Sequence, residues 1–151
     1  MIVNRRTLIG SIFAAVPAIA FAARPAPATR ITVYQSPTCG CCGKWVDHLK
    51  AAGFGVTTVP TPDLSPVARR LGVPDAMRSC HTATVAGYFL EGHVPAQDVR
   101  SLLRRKPAAL GLAVPGMPRG SPGMETGGQR DAFATMLVPK TGAPSVFARH
   151  G

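Results

Sequence analysis

The sequence lacks an apolar run long enough to cross a lipid bilayer. Its longest candidate, residues 8–22, has about 15 residues and contains Pro17, whereas a membrane-spanning helix needs about 20. Positive charge at Arg5-Arg6 precedes this run, and Ala20-Phe21-Ala22 follows the small-x-small pattern of a cleavage site. We therefore interpret residues 1–23 as a secretory signal peptide rather than a membrane anchor, and the paired arginines are typical of the twin-arginine export route.

Acidic residues are also scarce, since 7 Asp and Glu stand against 17 Lys and Arg. A basic excess of this size usually favours an acidic partner, but export argues against nucleic acid. The basic residues are scattered apart from Arg104-Arg105-Lys106, as they are on an ordinary solvated surface. The sequence therefore predicts no nucleic-acid binding.

The sequence has no internal repeat, and its length requires no second domain. Residues 24–30 are rich in Pro and Ala and are predicted to be a linker, and residues 31–151 are predicted to be one domain. Cleavage of the signal peptide would leave a periplasmic protein with no stable membrane insertion.

The pattern of apolar residues predicts an α/β domain. β-Branched and aromatic runs predict strands, and apolar residues at three- and four-residue spacing predict helices. The predicted order is strand 31–34, helix 45–52, strand 54–59, helix 64–71, strand 82–85, strand 88–91 and a helix from Pro95 to Lys106. This βαβαββα order is that of the thioredoxin fold. Residues 111–128 are predicted to be a Gly/Pro-rich loop, and segments 133–138 and 145–148 a C-terminal β-hairpin.

Four cysteines in an exported protein usually form structural disulfides. Here Cys39, Cys41 and Cys42 lie within four residues, and cysteines this close cannot link distant parts of a chain. A ligand or redox cluster explains them better. They lie where a strand leads into a helix N-terminus, whose positive end stabilises thiolates and favours both metal ligation and disulfide exchange.

The spacing of the cysteines favours a soft metal. Cys39 and Cys42 have the C-x-x-C spacing of dithiol redox enzymes, and Cys41 adds a third thiol. Convergent thiolates select copper(I), zinc or iron-sulfur centres, and in an exported protein we favour copper(I), which adjacent sulfurs can bridge in a multinuclear cluster. If the fold is thioredoxin-like, Cys80, just before the third strand, takes the place of the thioredoxin cis-proline. It is predicted to be a fourth ligand, with a small buried apolar residue as the alternative.

Histidine and methionine side chains extend the candidate site. His81 is either a ligand or a residue that satisfies a backbone partner. His93 is an outer ligand or proton donor, although a plain turn residue is favoured. Met117 and Met124 have thioethers that bind copper(I) without deprotonation, although core packing is favoured for them.

The remaining histidines and methionines are predicted to lie outside the site. His48 and His150 are predicted to be ordinary surface groups, and Met77 and Met136 to be packing residues.

Four motifs together resemble one known family. They are Ser36-Pro37-Thr38-Cys39-Gly40-Cys41-Cys42-Gly43-Lys44-Trp45, Cys80-His81-Thr82, Glu91-Gly92-His93-Val94-Pro95, and the segment from Gly111 to Met124. The sequence resembles the CopG-like periplasmic copper-resistance proteins, first catalogued as a domain of unknown function, over nearly the whole mature chain. The resemblance implies a thioredoxin-like fold, copper bound through Cys39, Cys41, Cys42 and Cys80, and handling of copper between Cu(I) and Cu(II).

Three functions are compatible with the sequence. The first is a copper-resistance protein that sequesters Cu(I) or passes it to periplasmic copper carriers or export pumps. The second is an enzyme, either a thiol-disulfide oxidoreductase with Cys39 as nucleophile and Cys42 as resolving cysteine, or a copper oxidoreductase. The third is a zinc-binding protein, for which a second C-x-x-C pair is missing and Cys80 stands in its place.

Overall fold

The computed structural model describes residues 28–125, 127–128 and 130–151. The signal peptide predicted for residues 1–23 lies outside the described residues, as does most of the predicted linker. Within the described ranges, no helix is long and apolar enough to cross a bilayer.

The described part of the chain contains seven strands and three α-helices, which confirms the predicted α/β class. The elements are β1 (Arg30–Gln35), α1 (Gly40–Ala51), β2 (Gly55–Pro60), α2 (Ser65–Leu71), β3 (His81–Val85), β4 (Tyr88–Glu91), α3 (Ala96–Arg105), β5 (Ala109–Ala113), β6 (Phe133–Pro139) and β7 (Ser145–His150). A 3₁₀ turn at Asp75–Met77 lies between α2 and β3.

The strands form one sheet in the order β2-β1-β3-β4-β5-β6-β7. β1 is parallel to β2, β4 is parallel to β5, and the other neighbouring strands are antiparallel. Because β1 and β3 are antiparallel, Gln35 at the end of β1 pairs with His81 at the start of β3. This register brings the cysteine segment that follows β1 next to Cys80.

Helices cover both faces of the sheet. Successive residues of a strand point to opposite faces, so Leu90 belongs to the apolar cluster with α1 and α3, whereas Phe89 belongs to the cluster with α2. Trp45, Val46 and Leu49 form the buried side of α1. Their packing on the sheet fixes the position of the helix N-terminus that carries the cysteines.

The loop predicted over residues 111–128 begins later than expected, because residues 111–113 belong to β5. The prediction for these three residues is wrong. β5 runs parallel to β4, and Gly111 pairs with Phe89. A Cβ atom at residue 111 would lie 2.2 Å from the Phe89 carbonyl oxygen. Glycine is therefore needed at this position because two strands approach closely there, and not because the chain turns.

Candidate metal centre

Three cysteines occupy the beginning of α1. Cys39 is the N-cap residue, with an extended backbone (φ −80°, ψ 99°), and its side chain makes no capping hydrogen bond. Cys41 and Cys42 follow in the first helical turn, where amide N–H groups lack helical partners and the helix dipole is positive. Cys42 is fully buried, whereas Cys39 and Cys41 are partly exposed. The cysteines therefore lie at the positive end of the helix dipole, and the cluster is accessible to solvent.

The structure brings the four cysteines together. Their sulfur atoms all lie within 4.8 Å of one another. Cys41 Sγ lies 3.5 Å from Cys39 Sγ and 3.8 Å from Cys80 Sγ. Cys39 and Cys42 are joined by a disulfide, whereas Cys41 and Cys80 are free thiols. In a tetrahedral zinc site, two sulfur ligands of the same ion lie roughly 3.8 Å apart. The sulfur atoms of the two free thiols, Cys41 and Cys80, are already at this separation.

Cys80 has sulfur neighbours on one side and imidazoles on the other. Its Sγ lies 3.3 Å from His81 Nδ1 and 3.4 Å from His93 Nε2. Burial and, next, the nearby Cys41 raise the pKa of the Cys80 thiol to about 12. A metal ion must therefore displace the proton of Cys80 in order to bind there. The donor atoms of Cys80, His81 and His93 form a second group within 4.8 Å.

Backbone carbonyls determine which nitrogen of each imidazole carries hydrogen. His81 Nε2 lies 2.9 Å from the Gly92 oxygen, and His93 Nδ1 lies 2.7 Å from the Pro122 oxygen. A carbonyl oxygen can only accept, so these two nitrogens donate, and the lone pairs of His81 Nδ1 and His93 Nε2 are left near Cys80. Both imidazoles are therefore oriented as metal ligands.

Both imidazoles are buried in their neutral form. His81 and His93 are 0% exposed. Burial and the neighbouring His93 lower the pKa of His81 to about 3, and burial also lowers the pKa of His93. The favoured interpretation of His93 as a plain turn residue is wrong, because the turn directs its ring inward to Cys80.

A buried carboxylate holds the segment before β3 in place. Glu91 is 1% exposed and accepts hydrogen bonds from the Ser79 N–H and the Thr82 hydroxyl, both at 2.6 Å. Burial raises the pKa of Glu91. Its two donors flank Cys80 and His81, so Glu91 positions both of them. Glu91 was not among the predicted site residues. The sequence feature that could have identified it is an acidic residue at the end of an apolar strand.

The Gly/Pro-rich loop lies over the first turns of α1. A Cβ atom at Gly123 would lie 2.8 Å from the Trp45 backbone nitrogen. Pro122 supplies the carbonyl that orients His93. At the other end of the loop, the Ser79 hydroxyl donates a hydrogen bond to the Gly116 oxygen at 3.1 Å. The loop therefore covers one side of the site and contributes to its geometry.

Two solved structures are similar to the chain over most of its length. One, named "Copper resistance protein copG- Form 2", is 46% identical, covers 83% of this chain and 100% of its own, and has a TM-score of 0.79. The other, named "Copper resistance protein copG- Form 1", is 47% identical, covers 82% of this chain and 98% of its own, and has a TM-score of 0.78. This chain belongs to the CopG family of copper-resistance proteins.

A family model matches the segment of this CopG-family chain that carries Cys80 and the two site histidines. The model, described as "Protein of unknown function, DUF411", matches residues 77–124, which include Cys80, His81, His93 and the covering loop. No curated protein sequence matches the chain.

Two overlapping sets of donor atoms in this CopG-family chain could hold a metal ion. One set consists of the four cysteine sulfurs, and the other of Cys80, His81 and His93. Thiolates favour soft ions such as Cu(I), whereas imidazoles also suit Cu(II) and zinc. The sulfur set is complete only when the Cys39–Cys42 disulfide is reduced, and the mixed set does not contain that pair.

The two loop methionines differ in exposure. Met117 is 52% exposed, so the core packing favoured for it is wrong, whereas Met124 is half-buried. Met77 packs against the smaller apolar cluster, and Met136 is half-buried in β6.

The prediction that His48 and His150 are ordinary surface groups is wrong. His48 Nε2 accepts a hydrogen bond from the Ala96 N–H at 3.0 Å, and burial lowers the pKa of His48. His150 Nε2 donates a hydrogen bond to Asp98 Oδ2 at 2.8 Å. Both histidines thus connect α3 to other elements, and within the described ranges neither belongs to a group of three or more close metal donors.

The two site histidines should adopt opposite tautomers in the metal-free protein. We expect hydrogen on Nε2 of His81 and on Nδ1 of His93, because a carbonyl accepts from each. His81, with a pKa of about 3, should remain neutral at pH 5. Ring ¹⁵N chemical shifts measure both properties. Protonation of His81 above pH 5, or matching tautomers, would contradict this geometry, and the urea-unfolded protein is the control, with histidines that titrate near pH 6.5.

Proposed function

We propose that this CopG-family protein binds Cu(I) through Cys39, Cys41, Cys42 and Cys80 as a periplasmic protein of copper resistance. The observation that carries this proposal is the convergence of four cysteine sulfurs within 4.8 Å at a helix N-terminus. Thiolates are the preferred ligands of Cu(I). Two relatives named as copper-resistance proteins favour copper over zinc.

We further propose that the reduced cluster holds more than one Cu(I). Cys41 supports this, because its sulfur lies close to both Cys39 and Cys80 and so is placed to bridge ions. The free thiol of Cys80, with imidazoles on its other side, is a second bridging position.

The disulfide supports a redox role for the same site. We propose that the Cys39–Cys42 dithiol can reduce two Cu(II) ions to Cu(I), each ion taking one electron, with formation of the disulfide and release of two protons. Cys80, His81 and His93 would hold Cu(II), because imidazole ligands suit that ion. The sharing of Cys80 between the two donor sets supports electron transfer within one site, and the Cu(I) formed would then be released, because the new disulfide withdraws two of its sulfur ligands.

The element order supports a thioredoxin-like classification of the first seven predicted elements. β2, β1, β3 and β4 are adjacent in that order, with β1 parallel to β2 and antiparallel to β3. The antiparallel pair β6–β7 supports the predicted C-terminal hairpin as an addition to this unit. Superposition of an experimental structure on a thioredoxin would test the classification.

The N-terminal sequence supports export to the periplasm by the twin-arginine route. The mature protein, a single domain from residue 31, would then meet copper carriers or export pumps. We expect N-terminal sequencing of the periplasmic protein to begin at Ala23 or Arg24. Replacement of Arg5 and Arg6 by lysine should retain the precursor in the cytoplasm, and unchanged export would exclude the twin-arginine route.

The Cys41→Ser variant should distinguish a metal cluster from simple dithiol exchange. We expect the reduced variant to bind Cu(I) about 100-fold more weakly than wild type, because loss of a direct ligand costs at least as much as loss of an outer-shell partner. Anaerobic titration against a chromophoric Cu(I) chelator measures affinity and stoichiometry together. Disulfide exchange with a dithiol substrate should persist, because Cys39 and Cys42 are both retained.

Met136→Leu is the matched control, since it removes a sulfur from β6 without changing the cluster. It should bind Cu(I) as wild type does. Weak copper binding that is the same in wild type and Cys41→Ser, with rapid exchange in both, would reject the copper cluster and favour the thiol-disulfide oxidoreductase. Displacement of bound Cu(I) by equimolar zinc would favour the zinc-binding alternative.

The state of the disulfide should control Cu(I) affinity. We expect protein with one disulfide and two free thiols to bind Cu(I) roughly 100-fold more weakly than the fully reduced protein, because two sulfur ligands are withdrawn. His93→Gln should weaken copper binding further in the oxidised protein and change it little in the reduced protein. His48→Gln is the control, because it changes a histidine outside both donor sets. Equal affinity before and after reduction would contradict a role for Cys39 and Cys42 as ligands.

A further inference from the structure

A groove of about 470 Å³ is lined in part by Pro122, whose carbonyl accepts a hydrogen bond from His93 of the candidate metal site. Its walls come from the start of α3, the covering loop, β6 and β7, and include Pro95, Gln97, Arg130, Phe133, Arg149 and His150. None of the four cysteines is among its lining residues. Its volume is within the range of small-molecule sites, so the groove is a candidate binding site separate from the cysteines.

Two arginine side chains bring positive charge to the groove, because Arg130 and Arg149 both line it. The acidic side chain in its wall, Asp131, forms an ion pair with Arg119 at 3.2 Å, so its charge is already balanced. Guanidinium groups bind carboxylates through paired hydrogen bonds. The groove therefore favours an anionic ligand.

His150 adds a hydrogen-bonding ring nitrogen to the same groove. Asp98 Oδ2 accepts hydrogen bonds from the Thr135 hydroxyl at 2.6 Å and from His150 Nε2 at 2.8 Å. Phe133 stacks on the imidazole with ring centroids 4.6 Å apart, which fixes the plane of the ring. Because Nε2 is bonded to Asp98, Nδ1 is the ring nitrogen that remains to hydrogen-bond a ligand.

We propose that this groove binds a small organic anion that carries both a carboxylate and a hydroxyl group. The carboxylate binds Arg130 and Arg149, the hydroxyl hydrogen-bonds His150 Nδ1, and the carbon skeleton lies against Phe133 and Pro95. The proposal is independent of copper binding, because none of these residues belongs to either set of metal donors.

Malate and succinate provide the matched probes, since they differ by one hydroxyl group. Each is titrated at constant ionic strength into ¹⁵N-labelled, metal-free protein. We expect saturable malate binding, with amide shifts concentrated at residues 96–97, 133 and 149–150. Succinate should bind at least about threefold more weakly, because a site built for a hydroxyl discriminates against the analogue that lacks it. Arg149→Gln should weaken malate binding about tenfold, through loss of charged hydrogen bonds.

Arg70→Gln is the matched control, because it removes the same charge from the exposed side of α2. It should bind malate as wild type does, and both variants should retain the wild-type unfolding midpoint. Equal weakening in Arg70→Gln and Arg149→Gln, or non-saturable shifts over the whole basic surface, would overturn the proposal in favour of non-specific charge attraction. Equal affinity for succinate would overturn the role of His150. Tighter binding of a glutamate-rich hexapeptide than of malate would overturn the small-molecule assignment in favour of an acidic protein partner.

Discussion

The antiparallel register of β1 and β3 is the constraint on which the metal centre depends. It pairs Gln35 with His81 and so places Cys80 beside the helix N-terminus that follows β1. The sulfur of Cys80 then lies between Cys41 and the two imidazoles. A shift of one residue would turn the side chains of β3 to the opposite face of the sheet and separate the two halves of the site.

Much of the remaining structure keeps this arrangement fixed. Glu91 holds the residues on either side of Cys80 and His81, and backbone carbonyls from two different turns orient the imidazoles. Burial keeps both rings neutral, and it also raises the pKa of Cys80. The two imidazoles are therefore held in fixed positions, while the number of free cysteine sulfurs depends on one disulfide.

Local patterns in the sequence were sufficient to predict most elements and the cysteine cluster. β3 and β4 lie within one residue of their predicted bounds, because a β-branched run and an Ala86-Gly87 turn are local signals. β5 could not be predicted in this way, since Gly111 is required by contact with a distant strand. The burial of His93 and the partners of His48 and His150 likewise depend on tertiary contacts that spacing does not reveal.

We propose that Cys80 belongs to two donor sets, selected by the redox state of the Cys39–Cys42 pair. Copper K-edge X-ray absorption on the loaded protein tests it directly, because sulfur and nitrogen ligands scatter differently. We expect a coordination shell dominated by sulfur in the reduced protein with Cu(I), and a mixed shell with two imidazole nitrogens in the disulfide form with Cu(II). The same numbers of sulfur and nitrogen ligands in both states, or a shell without sulfur in either state, would contradict this proposal.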